Sequence, residues 1–348
     1  MTPTLAIRAL AQFPAADAST GSDDAALRLT GRSAPLFGSA EIIARDATGT
    51  TRRLVSAAEL RADPDPRLAE LLARLEGPRA PIAGVTFDRP RIMGIVNVTP
   101  DSFADGGRYF DSAAAIDHAL QLEAEGADML DIGGESTRPG AAALEVEEEC
   151  RRVLPVIAGL VAQTRLPLSI DTRNSEVMRR AAASGVSLIN DVSALRHDPN
   201  SLAVAAQTGL PVVLMHAQGD PRTMQDAPAY DDVVLDVFDF LKQRIAASEA
   251  AGIARSRLIV DPGIGFGKTL AHNLRLLCCL SVFHGLGCAL LLGASRKSFI
   301  GHLTGAPAPE RLPGSLAAAL LGTAQGVQIL RVHDVAATRQ ALTVWAGG

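Results

Sequence analysis

Arg91-Ile-Met-Gly-Ile-Val-Asn97 is an apolar run closed by an amide side chain, with no alternation of apolar and polar positions. A strand with one wet face shows a period of two, whereas a strand covered on both faces reads as an unbroken apolar run. This run starts at Ile92, and seven more follow it, starting at Asp128, Leu168, Ser187, Val212, Leu258, Ala289 and Val327. Amphipathic stretches separate them. The clearest places Val234, Val237, Phe238, Leu241 and Ile245 on one face, with Asp231 as its expected N-cap and Gly252 where it should stop. Another opens at Pro313 and closes at Gly326. Eight strand–helix units between Arg91 and Trp345 predict an α/β fold, a (β/α)8 TIM barrel, in preference to an open doubly wound sheet. No G-x-G-x-x-G follows the first strand to support a dinucleotide fold.

The chain divides at about residue 88, giving an N-terminal extension over 1–88 and the barrel domain over 89–348. The extension has scattered Pro, Gly, Asp and Ala, a hairpin expected around Ile42 to Val55, and a short helix bearing Leu68, Leu71, Leu72 and Leu75 that ends at Gly77-Pro78. It holds no cluster of convergent polar residues, so its expected role is packing.

With 33 Lys+Arg against 38 Asp+Glu, the formal charge is -5, and no basic excess is available for a nucleic-acid backbone or an anionic membrane. Hydrophobic residues make up 47% and aromatics 4%, which predicts an aliphatic globular core. Cys150, Cys278, Cys279 and Cys288 show no metal spacing and lie in apolar surroundings, so no disulfide is expected and the cytoplasm is the expected compartment. Leu276 to Ser295 lacks Lys, Arg, Asp and Glu, but His284, Gly285 and Gly287 interrupt it. It reads as a helix end, a turn and a buried strand rather than a membrane span.

A barrel of this kind carries its chemistry at the C-terminal ends of its strands. Those ends are Asn97, Asp131, Asp171, Asn190, His216, Asp261, the group Ser295-Arg296-Lys297-Ser298, and Arg331 with His333. Asp and Asn after a strand commonly cap the next helix. Here other residues can fill that capping role, with Asn174 or Ser175 available after Asp171, Asp198 after Asn190, and a helix starting only near Leu270 after Asp261. Asp171, Asn190 and Asp261 are therefore assigned to function. Asp131 could equally brace a loop, and His216 could equally be a structural hydrogen-bonder.

Two connections are long, Thr99 to Asp111 and Gly133 to Leu144, and either could be a lid or simply a solvated loop. The Gly-rich stretch Asp261 to Thr269 fails as a Walker A because Pro262 stands where Gly is required; it reads instead as a turn presenting Phe266 to a flat ligand. Arg138, Arg296, Lys297, Arg331 and His333 are expected at one rim, which suits a multiply charged anion such as phosphate. Two carboxylates and an amide suit the N–H donors of a planar heterocycle. The residues alone thus point to an enzyme for a nitrogen heterocycle bearing a phosphate or pyrophosphate.

The stretches Met93 to Gly107, Gly133 to Gly140, Ile170 to Thr172, Asn190 to Val192, Asp261 to Lys268, Ser295 to Ser298 and Arg331 to Asp334 resemble, in order, the motifs of the dihydropteroate synthase family of folate biosynthesis. Ala104 and Ile264 are minor departures, and residues 1–88 lie outside the resemblance. The resemblance implies condensation of 6-hydroxymethyl-7,8-dihydropterin diphosphate with 4-aminobenzoate, giving 7,8-dihydropteroate and pyrophosphate. It implies that Asp171, Asn190, Asp261 and Lys297 hold the pterin, with Met215 and Arg331 against its faces. Asn97 would help bind Mg²⁺ on the diphosphate, near Arg138, Arg331 and His333. Thr137, Pro139, Phe266 and Ser298 would surround the aminobenzoate. A homodimer is implied as well. A pterin-dependent methyltransferase or a catalytically silent pterin-binding paralogue would share Asp171 and Asp261 but would not need the rim or lid residues.

Overall fold

The structure, a computed structural model, describes residues 3–13, 26–30, 35–98, 112–135, 144–219, 224 and 226–347. Thr137, Arg138 and Pro139 lie outside them, as does most of both long connections.

The N-terminal part is a four-stranded antiparallel sheet with two helices. Its strands are β1 (Thr4–Phe13), β2 (Leu27–Arg28), β3 (Leu36–Asp46) and β4 (Gly49–Ser56); its helices are α1 (Ala57–Ala62) and α2 (Pro66–Glu76). The expected hairpin is β3–β4, paired from Ser39↔Ser56 to Asp46↔Gly49. The expected leucine helix is α2, capped by Asp65 with Pro66 in its first turn. Strand β1, paired along β3, has no counterpart among the sequence expectations. Ile7, Phe37, Leu60, Leu68, Leu72 and Leu75 bury a core of their own, and Leu71 packs against both this core and that of the barrel.

The barrel strands are β5 (Arg91–Asn97), β6 (Met129–Gly133), β7 (Leu168–Asp171), β8 (Leu188–Asp191), β9 (Val212–Met215), β10 (Leu258–Asp261), β11 (Ala289–Leu292) and β12 (Ile329–Val332). They are parallel, and β12 pairs with β5 from Ile329↔Arg91 to Val332↔Gly94, which closes the barrel. Around it run α3 (Ser112–Ala124), α4 (Val146–Val161), α5 (Ser175–Ala183), α6 (Ser201–Thr208), α7 (Val233–Ala250), α8 (Leu270–Leu277), α9 (Ser298–Thr304), α10 (Leu312–Ala324) and α11 (Val335–Gly347). Inside, Met93, Met129, Leu188, Val213, Ile259, Leu291 and Ile329 form an apolar cluster, and Ile82 from the preceding turn is buried with them. Polar strand-end residues are left to the opposite mouth.

Several local expectations change. The N-cap of α7 is Asp232, whose carboxylate accepts from Val234 N and Leu235 N, not Asp231. Asn174 stands at the N-cap of α5 without capping through its side chain, which instead donates to Glu149 at 2.6 Å; Asp198 accepts from Ser175 N. Cys278 is exposed rather than buried, and all four cysteines are free thiols. The charge-free stretch resolves into the end of α8, a 3-10 turn at Leu280–Leu286, and β11. Among the described residues, no helix is long and apolar enough to cross a membrane.

Candidate active site

Parallel pairing sets Asp171 beside Asn190 and Asp261 beside Met215, so the strand-end side chains emerge at one mouth. At its centre lies Asp131. Its Oδ2 accepts from Arg331 Nε at 2.6 Å and from Asn190 Nδ2 at 2.9 Å, and Arg331 also donates to Asp171 Oδ2 at 2.7 Å. Residues from β6, β7, β8 and β12 are thereby joined across the barrel by a guanidinium, two carboxylates and an amide. Asp131 is fully buried, and its Oδ1 has no hydrogen-bond partner among the described residues.

The even choice at Asp131 is settled towards a brace, although what it braces is the site itself. Because a carboxylate can only accept, Asn190 must present its Nδ2 to Asp131, which leaves the amide oxygen for another group. Burial pushes Asp171 above the ordinary carboxylate range, against the pull of Arg331 and with Asp131 adding to the rise. Burial also opposes the charge on Arg331, but Asp131 and Asp171 more than offset it and hold its proton more tightly than usual.

On the other side of the mouth, Asp261 Oδ1 accepts from Gly263 N at 2.7 Å. Gly263 has φ +69, and a Cβ there would stand 1.9 Å from the carbonyl oxygen of His216, so only glycine allows the two loops to meet. Lys297 donates to the carbonyl of Ile264, and its Nζ lies 4.3 Å from the centroid of the Phe266 ring, a cation–π contact. Burial brings Lys297 down to about 8 despite the nearby Asp261 carboxylate. Asp261 is itself pushed up by burial, with Lys297 pulling it back. Ser298 follows, exposed, at the start of α9. Met215 is buried at the end of β9, and Asn97 is half-buried at the end of β5.

The described cations expected at one rim carry partners that the sequence did not show. Arg296 turns to Asp334 in an ion pair, its Nε donating to Asp334 Oδ2 at 3.0 Å. Two of the three guanidinium nitrogens of Arg331 donate to Asp131 and Asp171 rather than standing ready for an anion. His333 Nδ1 pairs with Ser295 Oγ at 3.0 Å.

Three groups drew no assignment from the sequence. Lys268 is buried, with Nζ 2.9 Å from His216 Nδ1, 3.3 Å from His216 O and 3.0 Å from Phe266 O. Burial, with Lys268 adjacent, drops His216 to about 2, so the ring is neutral and Nδ1 accepts from the lysine. His216 is thus the structural hydrogen-bonder. Arg173 and Glu135 are the other two, joined in a fork of 3.0 and 2.8 Å at the foot of the second long connection, where Glu135 also accepts from Leu144 N. The signal for Lys268 was present, since a lysine inside an otherwise apolar Gly-rich turn needs acceptors.

A closed parallel barrel whose mouth is built of carboxylates, an amide and two cations defines a barrel with an enzyme-like polar mouth, and residues 93–333 match the family model described as pterin binding enzyme. The dihydropteroate synthase of Escherichia coli (strain K12) is 50% identical over 263 residues, covering 75% of this chain and 93% of its own. The solved Xanthomonas albilineans dihydropteroate synthase with 4-aminobenzoic acid is 57% identical with a TM-score of 0.72, over 76% of this chain and 96% of that one. The Yersinia pestis enzyme with a sulfonamide drug complex is 46% identical with a TM-score of 0.73, over 76% and 97%. The chain belongs to the pterin-binding enzymes and, within them, to the dihydropteroate synthases, transferases of folate biosynthesis. The methyltransferase and silent-paralogue readings are set aside.

Proposed function

We propose that the Asp131–Arg331–Asp171–Asn190 network forms the floor for the pterin ring of 6-hydroxymethyl-7,8-dihydropterin diphosphate, and that the loops after β10 and β11 hold 4-aminobenzoate. The observation that carries this reading is the fixed guanidinium shared by two carboxylates beside Asp261. Acceptors at Asp171, Asp261 and the Asn190 amide oxygen match the N–H donors of the heterocycle, and Met215 and Arg331 cover its faces. Phe266 and Ser298 line the place for the amine, and the family motif assigns Thr137 and Pro139 to it. Lys297 stands between the two ligands. A sulfonamide, with an aniline nitrogen and an acidic sulfonyl group, competes for the amine place.

The C–O bond between the pterin methylene and the diphosphate breaks first, and its electron pair leaves with pyrophosphate. The methylene cation is delocalised into the pterin and stabilised by Asp171 and Asp261. The aromatic amine, a weak nucleophile, then attacks through its lone pair and loses a proton to water. Lys297 and His333 hold the departing pyrophosphate, so its charge grows against groups already in position, and the family motif adds Arg138 to them. Among the described residues, no three His, Cys, Asp or Glu side chains are grouped to hold a metal ion. The half-buried Asn97 would offer one amide oxygen to Mg²⁺, a ligand type that suits this cation. When bound there, the metal neutralises charge on the leaving group.

Single-turnover rates with a series of ring-substituted aminobenzoates test the order of bond changes. A rate that does not vary with amine basicity is expected; a steep rise with basicity would mean direct displacement.

We also propose that the chain is a cytoplasmic homodimer. Exposed Leu321 on α10 and Val344 and Trp345 on the adjacent α11 support pairing, and the four free thiols suit a reducing compartment. Light scattering of the purified chain should give twice the chain mass, and a monomer at micromolar concentration would refute the pairing.

A further inference from the structure

The N-terminal sheet lies outside the matched family model, yet its cations converge on the start of α7. Arg45, on β3, forks between Asp236 Oδ1 at 2.5 Å and Asp239 Oδ2 at 2.8 Å, and its side chain is 11% exposed. Arg52, on β4, donates to Asp232 Oδ2 at 2.7 Å. Thr4, on β1, donates to Asp239 as well.

These carboxylates also organise the turn that enters the helix. Asp232 is the N-cap of α7, and Asp236 Oδ2 accepts from Asp231 N at 3.0 Å and Asp232 N at 3.3 Å. The residue before this turn is Tyr230, whose hydroxyl donates to the carbonyl of Gly267 at 2.7 Å. Gly267 has φ +61, and a Cβ on it would stand 2.4 Å from the carbonyl oxygen of Gln218, so the loops after β9 and β10 interlock there. Phe266 and Lys268 flank that carbonyl. Further along α7, Phe240 meets the His216 ring edge-on at 4.8 Å.

We propose that the N-terminal sheet is a positioning element for the aromatic-amine side of the site. Arg45 and Arg52 fix Asp236 and Asp232, these fix the turn at Tyr230, and Tyr230 fixes the backbone that carries Phe266. The inference rests on the reading of Phe266 as part of the amine place. It differs from simple packing because directed hydrogen bonds from Arg45, Arg52 and Tyr230, joined by the short backbone steps from Asp231 to Tyr230 and from Gly267 to Phe266, end on one loop.

The experiment uses the full chain as Arg45→Ala/Arg52→Ala, as Tyr230→Phe, and as the triple variant. Amide hydrogen exchange over residues 263–268 and the KM for each substrate are measured on variants that keep the wild-type far-UV spectrum. Tyr230→Phe leaves the sheet contacts intact and cuts the path at its far end. Faster exchange in that segment is expected in both arms, with KM for 4-aminobenzoate rising about fivefold, within the usual range for residues that couple sites. KM for the pterin diphosphate should rise less than KM for 4-aminobenzoate, and the triple variant should be no worse than either arm, because both cut one path. Faster exchange with unchanged amine KM would uphold the coupling and refute the placement of Phe266. Unchanged exchange at 263–268 in the arginine variant, even with a lowered melting temperature, would overturn the proposal and reduce the sheet to packing. Additive effects in the triple variant would overturn it too.

Discussion

Asp131 and Arg331, 200 residues apart in the chain, are joined by a 2.6 Å hydrogen bond from the guanidinium Nε to a carboxylate that is fully buried. Removing one partner of such a pair strands the other, which costs more than the pair contributes when intact. Asp131→Ala should release Asn190 and let Arg331 swing toward Asp171 alone. A loss in kcat/KM on the order of a hundredfold is expected from the displaced groups. Steady-state kinetics checks it, and a crystal structure of the variant should show the Asn190 amide turned.

Arg331→Ala separates two views of the arginine. A guanidinium that only clamped phosphate would, when lost, weaken diphosphate ligands and spare a pterin lacking the diphosphate. Here it also neutralises Asp131 and Asp171, so calorimetry should show both ligands losing affinity, by roughly 3 kcal/mol or more. A selective loss would place Arg331 on the phosphates alone.

Lys297 sets the alkaline side of the pH profile. Burial has lowered it to about 8, and its protonated form is the one that meets the Phe266 face and that the proposed mechanism sets against pyrophosphate. As pH rises through about 8 the cation is lost, so kcat/KM should fall. Asp171 is raised by burial to about 7 and Asp261 is raised as well, and the proposed pterin contacts need both ionised, so kcat/KM should also fall as the solution is acidified through about 7, where Asp171 takes up its proton. Lys297→Arg should remove the alkaline fall while leaving the acid one. An alkaline fall that persists in Lys297→Arg would assign it to another group.

The barrel was legible because burial on both faces leaves runs such as Leu258-Ile-Val-Asp261 without alternation, and because each run ends in a group too polar for the core. Strand β1 was not legible: in Thr-Leu-Ala-Ile-Arg-Ala-Leu, alanines fill the positions between larger residues, and the pattern fits several elements. The identity of the strand-end residues could be read locally, but their partners could not. Arg331 looked like a free rim cation until closure of β12 on β5 brought it over Asp131 and Asp171. The partner of Arg296 was hidden for the same reason, since Asp334 lies 38 residues away. The grip of Arg45 on α7 spans 191 residues and has no trace in composition or spacing.

The most direct measurement follows both products when the purified chain, with Mg²⁺, is given 6-hydroxymethyl-7,8-dihydropterin diphosphate and 4-aminobenzoate. Wild type should form 7,8-dihydropteroate and pyrophosphate in equal amounts. Asp261→Asn, which turns N–H donors toward the donors of the pterin, should lose about 1–3 kcal/mol of pterin affinity, read as a matching rise in the KM for the pterin diphosphate. Wild-type kinetics in Asp261→Asn, or pyrophosphate released without dihydropteroate, would contradict the placement of the reaction at this mouth.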